Sequence, residues 1–147
     1  MNKNDIINKL YSNQINNIDV KYKLNSKDII RLASYINSDP FSNDTCCKWL
    51  GAISKSTNNT NYINFWFNKK KQALHRILYL NYKGPLNKTN YLRFTCPDHD
   101  MRGICCNINH IELINNNINN NILKIQPKIV TSNNINNKDI FILIFDD

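Results

Sequence analysis

Four side chains of the sequence have types and spacing that could hold a zinc ion: Cys46, Cys96, Cys105 and His110. Structural zinc sites consist of cysteine thiolates and histidine imidazoles arranged as a tetrahedron. A turn over the four residues between Cys105 and His110 could bring both side chains to one ion, and Cys96 could reach it across the preceding loop. Cys46 would come from a distant part of the chain and connect it to the C-terminal half. The spacing indicates a metal site, although the eight residues between Cys96 and Cys105 make a long metal knuckle.

The same cysteines have a second interpretation, in which they are buried as small apolar side chains. Cys47 and Cys106 are neighbours of the proposed ligands, and either could replace its neighbour at the metal. The total of five cysteines is odd, and the polar N-terminus has no signal-peptide core, which argues against a disulfide framework. No apolar run approaches the ~20 residues of a membrane span. We therefore expect an intracellular protein in the nucleus, the cytoplasm or a virion.

The elements that must position these ligands are predicted to be helices and strands of one α+β domain. Residues 1–25 are polar and predict a flexible arm or a short helix. Residues 26–37 predict a helix that Ser26 caps and that Asp39-Pro40 ends. Its apolar face is expected to contain Ile29, Ile30, Ala33 and Ile36.

The middle of the chain predicts a β-hairpin followed by a helix. Residues 46–54 and 61–67 are the expected strands, joined by a turn rich in serine, threonine and asparagine. A basic turn follows at Asn68–Lys71, and residues 72–83 predict a helix that Gly84-Pro85 ends.

The C-terminal third predicts a short strand and then a segment of low complexity. The strand covers residues 90–96, and the asparagine-rich segment at 115–121 is either the polar face of a final helix or a linker. The tail at 138–147 is an apolar run between charged ends, which could add an edge strand or bind a partner. The expected division is an N-terminal segment up to residue 25, a zinc-binding domain at 26–121 and a tail at 122–147.

The charge of the chain favours a polyanionic partner. The net charge is +8 and the isoelectric point is about 9.3, which suits nucleic acid through contacts to phosphates. Overuse of asparagine, isoleucine and lysine, whose codons are AT-rich, is a second source of this bias. Trp49, Trp66 and Phe67 could stack on bases, although aromatic residues on a hairpin usually belong to the core. The candidate contacts to nucleic acid are Lys69, Lys70, Lys71, Arg76, Arg93 and Arg102.

Four segments follow one another in an order that occurs in a known family. They are CCKWLGA at 46–52, LHRILY at 74–79 with GPL at 84–86, LRFTC at 92–96 and CCNINHI at 105–111. They resemble the motifs C-W-x-W-x-G-A, A-H-R-x-x-Y…G-P-I and V-x-H-x-C…C-x-N-P-x-H-L of HNH (His-Me finger) endonucleases with a zinc-bound loop. The resemblance implies a small zinc-braced ββα-metal domain with a β-hairpin, flanking helices and a strand-like C-terminal tail.

The resemblance also implies roles for individual residues. The structural zinc would be held by Cys46, Cys96, Cys105 and His110. Asn119, nine residues beyond the last zinc ligand, would bind a catalytic Mg²⁺. Phe94 occupies the position of the histidine that activates water, and a phenyl ring cannot accept a proton. His99 is a weak substitute for that base or an alternative zinc ligand, whereas His75 is more simply a packed helix residue.

The expected function is that of a zinc-braced protein that binds nucleic acid, most simply DNA, on a degenerate HNH scaffold without nuclease activity. One alternative is an active Mg²⁺-dependent endonuclease that uses another base, and Mg²⁺ is expected only in that case. The other alternative is a structural or protein-interaction subunit, with the tail residues 141–145 as part of its docking surface. A homodimer or a protein partner bound through the tail is possible in each case, and a membrane is not expected.

Overall fold

The computed structural model describes residues 1–114 and the backbone of residues 140–141. These residues form a small α+β fold in which helices and antiparallel hairpins share one apolar core. The helices are α1 (Lys3–Ser12), α2 (Ser26–Ala33) and α3 (Leu74–Tyr82). The strands are β1 (Ser54–Lys55), β2 (Asn61–Tyr62), β3 (Asn64–Phe67), β4 (Lys70–Ala73), β5 (Tyr91–Phe94), β6 (Ile111–Ile114) and β7 (Ile140–Phe141). Short 3₁₀ turns lie at Val20–Tyr22, His99–Met101 and Ile108–His110.

The N-terminal segment is a helix that belongs to the main core. The side chain of Asn2 caps α1 by accepting a hydrogen bond from the backbone N–H of Asp5 at 2.9 Å. Ile6 and Leu10 are buried and belong to the same cluster as the apolar residues of α2. Of the two alternatives for residues 1–25, the short helix is therefore the observed one, and this segment is not a separate arm.

The cap of the second helix lies one residue earlier than the sequence suggested. Asn25, and not Ser26, is the N-cap residue. The Asn25 side chain accepts from the N–H of Asp28 at 3.0 Å, and the Asp28 carboxylate accepts from the N–H of Asn25 at 3.2 Å. This reciprocal capping box satisfies two backbone donors at once, which a Ser26 cap would not achieve.

The apolar face of α2 also differs from the prediction at one position. Ile30 is 48% exposed, whereas Leu32 is 1% exposed. The buried face follows the i, i+3, i+4 pattern from Ile29, which selects Leu32 and Ala33 and leaves Ile30 outside. The helix ends at Ala33, and Ile36 still enters the core from the loop that follows.

The predicted hairpin is wrong in its pairing. Most of 46–54 is irregular, and the 54–60 turn closes only the two-residue ladder between β1 and β2. The longer hairpin is β3–β4, whose loop is Asn68 and Lys69 with φ angles of 51° and 64°. A two-residue loop with both φ angles positive matches the right-handed twist of the strands, so it closes this hairpin instead.

The predicted helix at 72–83 also starts later than expected. Gln72 and Ala73 complete β4, so α3 begins at Leu74. Almost every side chain of α3 is buried, including polar Asn81. The amide of Asn81 donates to the carbonyl of Tyr22 at 2.8 Å and accepts from the N–H of Leu24 at 2.9 Å. This buried amide therefore fixes the segment before α2 against α3.

The third sheet places β5 between β6 and β7. β7 pairs antiparallel with Leu92 and Arg93 of β5, so the edge strand expected from the C-terminal tail is observed at residues 140–141. The asparagine-rich segment at 115–121 and the rest of the tail lie outside the described residues.

Candidate metal centre

The four residues singled out by their spacing lie together in the structure. The ligand atoms of Cys46, Cys96, Cys105 and His110 are all within 4.8 Å of one another, and three of the four side chains are buried. The sulfur atoms of Cys46 and Cys105 each lie 3.6 Å from Nδ1 of His110. Zinc bound tetrahedrally by sulfur and nitrogen separates these atoms by about 3.6 Å. The cluster could therefore hold a metal ion, and its spacing fits zinc.

The loop that carries Cys46 is fixed to the opposite side of the cluster by Asn107. The buried amide of Asn107 donates to the carbonyls of Ser42 and Thr45 at 2.8 and 2.7 Å. Its oxygen accepts from the N–H of Asn109 at 2.8 Å, which starts the 3₁₀ turn that presents His110. One side chain thus connects two ligand-bearing segments that are more than sixty residues apart.

A second connection runs along the backbone on both sides of Cys105. Lys48 forms an antiparallel bridge with Cys105. The N–H of Trp49 donates to the carbonyl of Ile104 at 2.8 Å, and the N–H of Cys106 donates to the carbonyl of Cys47 at 2.6 Å. This short ladder replaces the regular strand predicted at 46–54 and aligns Cys46 with Cys105.

The last two ligands are positioned by the β5–β6 pair. Phe94 at the end of β5 pairs with Ile111 at the start of β6. Beyond that pair, the N–H of Thr95 donates to the carbonyl of His110 at 2.9 Å. The strands therefore bring Cys96 and His110 side by side where the ladder ends.

The protonation of the cluster favours the arrival of a cation. The hydrogen bond from the Cys96 thiol, helped by the N–H of Asn107, lowers the pKa of Cys105 to about 5. The hydrogen bond to Cys105 raises the pKa of Cys96, and burial raises the pKa of Cys46. A divalent metal ion bound among these sulfurs would favour the ionised form of all three thiols.

The neighbouring cysteines do not take part in the cluster. Cys47 is fully buried, its thiol donates to the carbonyl of Ser38 at 3.5 Å, and burial raises its pKa to about 11. Burial also raises the pKa of Cys106. Both side chains belong to the apolar core, so the alternation along the backbone decides which member of each pair faces the cluster.

Phe94 is a core residue, as its sequence position suggested. It is 4% exposed, and its ring makes an edge-to-face contact with the imidazole of His75 at a centroid distance of 4.5 Å. Nε2 of His75 is 2.7 Å from the carbonyl oxygen of Cys105. Burial lowers the pKa of His75 to about 4, so a neutral imidazole donates to this carbonyl near neutral pH. His75 therefore supports the ligand segment from behind.

Of the other catalytic candidates, one is not a member of the cluster and one lies outside the described residues. His99 is exposed on a 3₁₀ turn and is not among the four grouped ligands, so its role as an alternative metal ligand is not supported. Asn119, the expected Mg²⁺ ligand, lies outside the described residues.

The arginines predicted to contact nucleic acid all have interactions within the protein. Arg76 is 2% exposed, and its guanidinium donates to the carbonyls of Asn87 and Asn90 at 2.7 Å each. The prediction for Arg76 is therefore wrong, because the loop before β5 uses its donors. Arg93 is exposed but donates twice to the carboxylate of Glu112, at 3.0 and 2.8 Å. Arg102 is half-buried beside the cluster loop.

The three consecutive lysines do not form one patch. Lys69 is in the hairpin loop, and alternation in β4 directs Lys70 and Lys71 to opposite faces. Lys70 borders a cavity of about 360 Å³ that Lys21 and Lys88 also line. Lys71 lies opposite Trp66, on the face of the hairpin that points away from the core.

The aromatic residues that were proposed to stack on bases differ in their exposure. Trp49 and Phe67 are 4% and 5% exposed and belong to the core, so they cannot stack on bases. Trp66 is 56% exposed, and it remains available for such a contact.

Sequence reasoning underestimated two residues that hold the cluster together. The side chain of Asn107 bonds within its own turn, and it also reaches the loop of Cys46. His75 is packed in its helix as expected, and its ring nitrogen bonds to the backbone of a ligand residue. The available signal was that polar side chains within apolar segments need partners when they are buried.

Comparison with known proteins identifies one relative and no family. No protein-family model matches the sequence, and no solved structure matches it. The chain is 44% identical over 130 residues to "Uncharacterized protein R328" of Acanthamoeba polyphaga mimivirus. The match covers 86% of this chain and 37% of that protein, so the chain spans little more than a third of its length. Within the described residues, no helix combines the length and the apolar character that a membrane span requires.

Proposed function

We propose that the protein is a zinc-braced nucleic-acid-binding protein, with DNA as its partner, on a degenerate HNH endonuclease scaffold that does not cleave phosphodiesters. The observation that carries the proposal is the cluster of three cysteines and one histidine, with a buried phenylalanine two residues before its second cysteine. The cluster supports the zinc brace, and Phe94 supports the absence of a general base.

Zinc is the metal that suits this donor set best. Three sulfurs and one imidazole nitrogen are soft and borderline ligands, whereas Mg²⁺ and Ca²⁺ prefer oxygen. All four positions of a tetrahedron are supplied by the protein, which is typical of structural sites and leaves no position for substrate. The bound ion would therefore connect the loop of Cys46 to the C-terminal half of the domain.

The surroundings of Phe94 argue against water activation near the brace. A general base must be within hydrogen-bond reach of the water that it deprotonates. Phe94 has no proton acceptor, and Nε2 of the adjacent His75 is occupied by the carbonyl of Cys105. His75 is also 1% exposed, so it does not meet solvent or a scissile phosphate.

The binding of nucleic acid is supported by the charge of the surface. The net charge is +8, and Lys69, Lys70 and Lys71 are all exposed at or next to the loop of the β3–β4 hairpin, although on different faces. Ammonium groups at such a tip attract phosphates and release counterions from the nucleic acid. The logarithm of the binding constant should therefore fall linearly with the logarithm of the salt concentration.

Three measurements on the purified full chain test the proposal together. Metal analysis should give one zinc per chain, and titration with DNA should show salt-dependent binding. Incubation of supercoiled plasmid with Mg²⁺ should leave it intact. Cleavage that requires Mg²⁺ and is lost in Asn119→Ala would establish the endonuclease alternative instead. Absence of DNA binding at low salt, together with a co-purifying protein partner, would support the interaction subunit.

A further inference from the structure

The β3–β4 hairpin separates its side chains into an inner and an outer face. Phe65 and Phe67 are 3% and 5% exposed, whereas Trp66 between them is 56% exposed. Successive residues of a strand point to opposite sides, so the tryptophan is on the outer face. Burial of an aromatic side chain stabilises a fold substantially. The largely exposed indole of Trp66 does not make that contribution.

A cationic residue lies opposite Trp66 on that face, and a second one is in the adjoining loop. Its cross-strand partner is Lys71, and partners directly opposite in an antiparallel pair lie on the same face. Lys69, in the two-residue loop beyond the pair, is also exposed. An aromatic ring with ammonium groups beside it matches the two parts of a nucleotide, because the base stacks and the phosphate is anionic.

Lys69 occupies a backbone position that favours glycine. Its φ angle is 64°, in the left-handed region that costs a residue with a β-carbon roughly 1 kcal/mol. The second residue of such a loop is most often glycine. The backbone geometry at this position favours glycine, which has no side chain, and the protein has a charged lysine there.

The strand that presents Trp66 is fixed from its other side. The guanidinium of Arg31 donates to the carbonyl of Trp66 and lies over the ring of Phe65 at 4.3 Å. Arg31 is itself paired with Asp28 at 3.1 Å. The backbone under the tryptophan is therefore held in place before any ligand arrives, which lowers the ordering cost of binding.

We propose that the outer face of this hairpin at Trp66 and Lys71, together with Lys69 in the adjoining loop, binds an unpaired nucleotide of single-stranded nucleic acid. The base stacks on the indole of Trp66, and the two ammonium groups contact the flanking phosphates. Bases within a duplex are already stacked on each other, so this surface favours single strands over duplexes. The inference rests on the proposed binding of nucleic acid and specifies which form is bound.

A protein partner fits the same face less well. The central parts of protein interfaces are depleted in lysine and usually consist of several adjacent apolar side chains. On the outer face of the β3–β4 pair, the position opposite Trp66 is a lysine, and the adjacent pair is Asn64 and Ala73. One aromatic ring in a cationic setting is the chemistry of a nucleotide platform.

The test compares binding of a short oligothymidine with binding of a duplex of equal length, at one salt concentration. Trp66→Ala should weaken binding of the oligothymidine about tenfold and leave binding of the duplex nearly unchanged. Trp66→Phe should restore part of the affinity, since a phenyl ring also stacks. Circular dichroism and zinc content should match the wild type, because the side chain is largely exposed.

A spectroscopic measurement reports the stacking directly. The chain has two tryptophans, and Trp49 is buried at 4% exposure while Trp66 is exposed. Oligothymidine should quench the fluorescence of the wild type and leave that of Trp66→Phe nearly unaffected. The matched lysine variants are Lys71→Ala, which should weaken binding, and Lys70→Ala on the opposite face, which should weaken it less.

The possible failures are distinguishable. Wild-type protein that binds neither oligonucleotide would overturn the proposed function, and this inference with it. Wild-type protein that binds both, with Trp66→Ala equal to it on each, would overturn the platform alone. A Trp66→Ala variant that loses self-association but retains its affinity for oligothymidine would show that the face binds a second copy instead.

Discussion

The metal cluster and the helical layer are stabilised by different means within one small domain. The helical layer, α1 to α3, buries a continuous set of apolar side chains such as Ile6, Leu10 and Ile29. The cluster region is made mainly of loops, short bridges and 3₁₀ turns, and its ligands come from segments that share little regular structure. The comparison shows that a chain with short strands can bring four potential metal ligands together through hydrogen bonds between loops. An apolar layer next to those loops supports this arrangement.

The largest expected effect separates a metal ligand from its buried neighbour. Cys105→Ala should abolish zinc binding and unfold the domain, because structural zinc contributes about 10–16 kcal/mol in small domains and total stabilities are about 5–15 kcal/mol. Cys106→Ala removes an equally buried thiol and should cost only about 1–2 kcal/mol with zinc retained. Zinc content and thermal unfolding check both. Similar losses in the two variants would contradict the assignment.

The next prediction compares two buried asparagines, one from each region. Asn107→Ala and Asn81→Ala each remove several buried hydrogen bonds and should cost roughly 2–4 kcal/mol. Only Asn107→Ala should also weaken zinc binding, because its partners are in the loop of Cys46. Competition with a chelator measures this difference. If Asn107→Ala and Asn81→Ala bound zinc with equal affinity, the separate stabilisation of the cluster and the helical layer would be contradicted.

A smaller effect of opposite sign is expected at the hairpin loop. Lys69→Gly relieves the left-handed strain and should stabilise the fold by about 0.5 kcal/mol, since part of the gain is offset by the flexibility of glycine in the unfolded chain. The same variant should bind oligothymidine more weakly than the wild type. Denaturant unfolding and a binding titration measure the two effects. A stabilised variant with full affinity would show that the charge of Lys69 is not used.

The smallest effect is expected for the surface ion pair next to the cluster. A double-mutant cycle of Arg93→Ala and Glu112→Ala should give a coupling of less than about 0.5 kcal/mol, because both side chains are exposed. Added salt should reduce it further. A larger coupling would indicate that this pair contributes to the stability of the cluster region.

The sequence predicted the metal cluster better than the strands around it. The ligand types and the Cys105–His110 spacing pointed to a metal site, and the family resemblance selected the four residues that the structure brings together. The choice between Cys46 and Cys47 required the three-dimensional bridge to Cys105. Spacing along the chain carries no information about that bridge.

The pairing of the strands depended on turn chemistry that the sequence pattern obscured. Asn68 and Lys69 read as part of a charge run, yet their positive φ angles make them the loop of the longer hairpin. The exposure of Trp66 was also unpredictable, since its segment reads as a uniformly apolar strand. The burial of Arg76 followed from carbonyls in a loop, and local patterns do not reveal such distant acceptors.

The burial of the pair His75 and Arg76 has a consequence for the recognition of remote homologues. Both side chains bond to main-chain carbonyls, on Cys105 and on the loop before β5. A planar guanidinium spans two such acceptors in a way that lysine cannot. In a comparison of remote homologues, the dipeptide therefore marks the architecture of this fold and does not by itself indicate catalysis.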